Sequence, residues 1–320
     1  MTYNKKIYIL LGIIGALALI YVLTIIFDPE RVGSRSAAYS WLEPGQKDRI
    51  SGITITRPDE TISLARSGGK WFVSHNGKDY PAREMRIDDF IAALSKRAPY
   101  PVRSSSASTH ERLWLTPGQA VRVTVAAGAG LPLLDLLIGQ TDPTGQGVYL
   151  RRQGQNEVRS GEDVFTSYTE SALTSWYNLS LFPETENGRL NAANVQRLTV
   201  YHPSDGGMNV PPQIFTRSGK TWTFNFELAN PDMGKVDNYI RDILNTSGDD
   251  FVDIAPSDPL FNNSRIVLEL GDGSIRTIRF GPPDENGAVL AAVSGSDWVY
   301  SIPGWANNRL FVDTDFFETD

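Results

Sequence analysis

Hydrophobic and polar positions divide the chain into three kinds of pattern. From Ile7 to Phe27 no residue is charged, and only Gly12, Gly15 and Thr24 fall outside the hydrophobic class. As a helix this run would be about 31 Å long, close to the thickness of a bilayer core. It is longer than the apolar stretch of a cleaved signal peptide and lacks the polar face of a core helix. The pattern predicts a single transmembrane helix at 7–27, a short cytoplasmic tail at 1–6 carrying Lys5 and Lys6, and a juxtamembrane linker at 28–46. The short amino-terminal tail favours an N-in orientation, with the large carboxy-terminal region periplasmic or extracellular. Gly12 and Ala16 stand four apart on one face of this helix, a spacing that lets helices pack closely in lipid.

Beyond residue 46 the pattern changes to strands, and it occurs twice. Ile53-Thr-Ile55 and Leu198-Thr-Val200 alternate like half-buried strands. Each is followed by a strand, a glycine turn and a return strand bearing a tryptophan: Ile62–Arg66, Ser67–Lys70 and Trp71–Val73, then Gln213–Arg217, Ser218–Lys220 and Trp222–Phe224. Each copy then places apolar residues at the first, fourth, fifth and eighth positions after a basic residue. These are Ile87, Phe90, Ile91 and Leu94 after Arg86, and Val236, Tyr239, Ile240 and Ile243 after Lys235, which is helical spacing. A further strand pair ends in glycine in both copies, at Gly139 and Gly281. The reading is two homologous mixed α+β domains rich in antiparallel strands, at 47–180 and 190–320, joined by a linker at 181–189. An extra helix is expected in the first copy, started by Ser160–Asp163 and lined by Val164, Tyr168, Leu173 and Trp176.

Composition adds exclusions. The 320 residues carry a formal charge of −7, which argues against nucleic acid as a partner. There is no cysteine, so disulfides, thiolate metal sites and cysteine nucleophiles are ruled out. His75, His110 and His202 lie far apart, without the company a zinc site needs. Ser218-Gly219-Lys220-Thr221 resembles the end of a phosphate-binding loop, but position 214 is Ile where that loop has its first glycine. Asp88-Asp89 decorates a helix, and Asp284-Glu285 belongs to a turn. No catalytic, metal or cofactor residue is assigned, and no enzyme activity is expected. The aromatic carboxy-terminal segment around Trp305 and Phe311 is the candidate partner-binding surface.

Several motifs together resemble a known family. They are Ile53-Thr-Ile-Thr-Arg-Pro58, Lys70-Trp-Phe72, the helix segment Pro81–Leu94 and Leu136-Leu-Ile-Gly139. This set is similar to an uncharacterised family of membrane-anchored bacterial proteins encoded beside ABC transporters of the gliding-motility type. The resemblance implies a bacterial inner-membrane protein and a non-enzymatic accessory or scaffold subunit. Its partners would be the bilayer, ABC transporter membrane subunits and associated envelope proteins. The alternative is an anchored envelope enzyme or glycan-binding protein, with Trp41, Trp114, Trp176 and Trp305 available to stack on sugars.

Overall fold

A computed structural model describes Leu17 and residues 38–185, 188–203 and 210–319. Two compact units divide between Trp176 and Tyr177.

In the first unit, β1 (Ile50–Thr56), β2 (Thr61–Ser67), β3 (Lys70–His75) and β4 (Lys78–Pro81) form a meander. Helix α1 (Glu84–Ser95) follows, and the chain returns as β5 (Val102–Ser104). A second meander comprises β6 (Val121–Ala127), β7 (Leu131–Thr141), β8 (Gly147–Arg152) and β9 (Val158–Glu162). All nine strands join one sheet in the order β4-β3-β2-β1-β6-β7-β8-β9-β5, antiparallel at every pairing. The strand from the first meander's start thus meets the start of the second, with Ile53 opposite both Leu64 and Val125.

The second unit comprises β10 (Val195–Tyr201), β11 (Gln213–Ser218), β12 (Thr221–Phe224), α3 (Met233–Asn245) and β13 (Asp250–Val252). It continues through β14 (Ser264–Leu270), β15 (Ile275–Phe280), β16 (Val289–Val293) and β17 (Val299–Ile302). Its order is β12-β11-β10-β14-β15-β16-β17-β13. Set β4 aside and the two orders are the same, strand for strand. In each unit the long helix leaves one end of the sheet, and the chain re-enters at the opposite end.

Alternation in the strands explains the core. Ile53, Ile55, Ile62, Leu64, Trp71 and Val73 are buried in the first unit, and Leu198, Val200, Phe215 and Trp222 in the second. The helices complete these cores with the residues that their spacing selected. Ile87, Phe90, Ile91 and Leu94 are buried on α1, and Val236, Tyr239, Ile240 and Ile243 on α3. Asp232 starts α3 by accepting from the amides of Gly234 (2.8 Å) and Lys235 (3.1 Å).

The expected fold class is corrected. Rather than mixed α+β domains, the chain forms two large antiparallel sheets with few helices. Among the described residues, α1 and α3 are the only helices longer than seven residues. The extra helix of the first copy breaks into a single turn, α2 (Thr166–Thr169), and a 3₁₀ turn at Leu173–Trp176. Hydroxyl side chains account for the break. Thr169, Ser171 and Ser175 donate back to the carbonyls of Phe165, Tyr168 and Ala172, which suits short turns better than a long helix. The second unit ends in the same way, with α4 (Gly304–Leu310) and a 3₁₀ turn at Thr314–Phe317.

The transmembrane helix is also unsupported. Among the described residues no helix is long and apolar enough to cross a membrane. Apart from Leu17, the segment 7–27 lies outside the described residues. The segment read as a linker contributes to the second unit: Leu181 and Phe182 are buried in its core, and the Leu181 amide donates to Thr246 O at 3.1 Å.

Candidate functional site

The first unit carries an open groove of about 610 Å³, lined by Arg57, Asp59, Glu60, Glu170, Ala172, Leu173 and Thr174. One wall is the tight turn after β1. Its Arg57 amide donates to Glu60 O at 2.8 Å, and Pro58 helps stop the strand. The other wall is the broken segment from α2 to the 3₁₀ turn at Leu173–Trp176. Arg57 ties the walls together. Its side chain is 13% exposed and pairs with Glu60. It also donates to the carbonyls of Thr169 (3.3 Å) and Ser171 (2.9 Å). These carbonyls close a short helical turn and lack partners within it, so the guanidinium satisfies groups that the segment leaves over.

Arg86 supports the same segment from α1. It donates to Ser167 O at 2.6 Å and Ser171 Oγ at 2.7 Å, and lies over the rings of Tyr168 and Trp176. Burial lowers its pKa from the ordinary arginine value, and the electrostatic influence of Tyr168 opposes that shift. The groove therefore carries one guanidinium already engaged by the protein, three carboxylates and one threonine hydroxyl. This set suits hydrogen-bond donors or a cationic group. Among the described residues, no three His, Asp or Glu side chains come together as metal ligands.

The other residues singled out by sequence are dispersed. Trp305 stands on α4, 66% exposed, with the Arg309 guanidinium 5.3 Å from its ring centroid. Phe311 instead packs on Phe280 and His202, with ring centroids 5.1 and 5.8 Å apart, and joins the second core. Phe316, 44% exposed, is a further outward-facing aromatic of the final segment. Gly12 and Ala16 lie outside the described residues. Gly219 and Lys220 form a two-residue hairpin turn between paired Ser218 and Thr221, with Gly219 at φ 65°. No helix follows to present amides to a phosphate. His110 sits against Asn156 O at 3.1 Å, and His75 against Asn76.

The sequence matches the profile of a domain of unknown function, DUF4340, over residues 71–263. The chain belongs to the DUF4340 family. No curated protein and no solved structure gives a match. The DUF4340 region starts on β3 and runs across the boundary between the units, so it contains both long helices and the segment held by Arg86. Arg57 lies just before it. The role of Arg57 and Arg86 as clamps was not read from sequence. Its one signal was Arg57-Pro58 closing a strand, a position that the second unit fills with His202-Pro203.

Proposed function

We propose that this DUF4340 protein is a non-enzymatic docking subunit of the bacterial envelope, working at the outer face of the inner membrane as an accessory to an ABC-type transporter. The observation that carries the docking reading is that both sheets remain open. Among the described residues neither closes on itself, and each ends in strands paired on one side only: β4 and β5 in the first unit, β12 and β13 in the second. Open edges take up extended segments of other proteins through backbone hydrogen bonds. Exposed Trp305 offers a second kind of contact, since aromatic anchors are enriched at protein interfaces. The transporter as partner and the envelope as location rest on the family resemblance of the motifs.

Mild detergent extraction of the tagged full chain, followed by identification of co-purifying proteins, tests the reading. Recovery of ABC transporter subunits is the expected result. Their absence from repeated extractions, with the tagged protein intact, refutes the transporter role. Protease added to cells with an opened outer envelope tests the location, and digestion of the sheet units is expected.

A further inference from the structure

The shared strand order lets residues of one sheet be compared with their counterparts in the other. β1 and β10 both slip register near their starts, between Ile50 and Gly52 and between Val195 and Arg197. From there the pairings run in step. Ile53 faces Val125 as Leu198 faces Leu268, and Thr56 faces Arg122 as Tyr201 faces Arg265. On the next strand Arg122 faces Leu137, and Arg265 faces Arg279. Two residues before these, Asp135 faces Thr124 and Thr277 faces Val267. Arg122 and Arg265 thus hold one position in the two units, as do Leu137 and Arg279, and Asp135 and Thr277.

In the first unit this position is satisfied from within. Arg122 donates to both oxygens of Asp135, from Nε to Oδ1 at 2.9 Å and from Nη2 to Oδ2 at 2.7 Å. The planar fork of the guanidinium matches the planar carboxylate. Leu137 is buried in a small apolar cluster with Leu113 and Leu115. In the second unit the surroundings change together. Thr277 replaces the carboxylate, and Arg279 replaces the leucine. The corresponding apolar cluster stops one strand short, at Ala292, which lies opposite Arg279. Like charges directly opposite on neighbouring strands repel each other. Among the described residues, no carboxylate is bonded to Arg265 or Arg279. Glu269, on the same face of β14, is about 13 Å along the strand from Arg265 and faces Arg197 at 3.9 Å.

Both guanidinium groups are nevertheless held. Arg265 is exposed and lies over the Tyr201 ring, 4.0 Å from its centroid. The first unit has Thr56 there, with no ring to offer. Arg279 is half-buried and donates through Nη2 to Pro256 O at 2.6 Å. Among the described residues its other N–H groups have no partner. Two donor groups fixed in advance lower the cost of taking up an anion.

We infer that Arg265 and Arg279, backed by Tyr201, form a binding site for a carboxylate, which takes the place that Asp135 fills in the first unit. The carboxylate belongs to a small molecule or to an acidic side chain of a protein segment, and the recognition is the same in both. The site goes beyond the docking reading and does not rest on it.

The purified full chain, with isotopically labelled arginine, reports on each guanidinium through its Nε–Hε resonance. The probes are glutarate and a capped Gly-Glu-Gly-Glu-Gly peptide, added at fixed ionic strength so that screening stays constant. Saturable shifts are expected at Arg265 and Arg279, and none at Arg122, whose partner is internal. Arg279→Leu restores the first unit's arrangement and weakens binding about tenfold. Thr277→Asp supplies an internal carboxylate and abolishes the response, whereas Thr277→Asn retains it. Tighter binding of glutarate identifies a small molecule, and tighter binding of the peptide a protein segment; either supports the site. Shifts that do not saturate, or that are equal at Arg122, overturn the inference. So does a response to inorganic phosphate without one to either carboxylate, and so does unchanged affinity in both Arg279→Leu and Thr277→Asp. No arm involves a transporter, so failure here and failure of the transporter role are separate results.

Discussion

Tyr239 provides the sharpest test of how the second unit is held together. It lies on α3, is 2% exposed, and packs against the rings of Phe215 and Phe317. Its hydroxyl donates to Leu310 O at 2.6 Å. Leu310 is the last residue of α4, so its carbonyl has no partner within that helix. Tyr239→Phe keeps the ring and leaves this buried carbonyl unsatisfied. The cost expected is about 1–3 kcal/mol. For a unit of this size that corresponds to roughly 3–10 °C in the midpoint of its thermal transition.

An alkaline titration adds a second readout. Burial raises the Tyr239 pKa far above its ordinary value of 10.0. Above about pH 10 the unfolded chain loses the phenol proton while the folded chain retains it, so wild-type stability falls with rising pH. The slope from this residue is up to about 1.4 kcal/mol per pH unit. Tyr100 and Tyr300 are also raised, chiefly by burial, and weaken both proteins alike. The difference between wild type and Tyr239→Phe isolates Tyr239, and a gap of about 2 kcal/mol at neutral pH should close near pH 11.5. Chemical unfolding at a series of pH values measures it. A gap that stays constant from about pH 8 to pH 11, or a neutral-pH shift below about 1 °C, would show that the phenol is not buried and bonded as described.

Further predictions concern the glycines, the guanidinium clamp and the helix cap. A Cβ on Gly139 would lie 2.2 Å from the Leu113 carbonyl oxygen, whereas one on Gly281 would meet the end of the Leu260 side chain at 2.5 Å. Gly139→Ala should therefore cost about 2–4 kcal/mol, and Gly281→Ala under about 2, because a side-chain end can rotate and a backbone cannot; thermal unfolding of the two variants compares them. Arg57→Lys retains the charge but loses the geometry that reaches two carbonyls, so amide exchange across residues 166–176 should quicken and stability fall by about 1–3 kcal/mol. Asp232→Ala removes the α3 cap and should cost about 1 kcal/mol in chemical denaturation.

Local periodicity was enough to locate most strands, both tryptophan hairpins and both long helices, because burial on one face imposes a period of two or 3.6 on the residues themselves. The glycines closing the strand pairs were also legible, although their reason was not. Gly139 is needed because Leu113 crosses it in space, and nothing between the two positions announces that approach. Residues 164–176 carry an apolar stripe but too many hydroxyl groups to remain one helix, so spacing alone overstates the share of helix. Sheet order was beyond the sequence as well. Joining β1 to β6 and β9 to β5 requires contacts between residues distant in the chain, which local pattern does not encode. The same holds for the clamp of Arg57 on Thr169 and Ser171, which depends on which backbone groups tertiary packing leaves without partners.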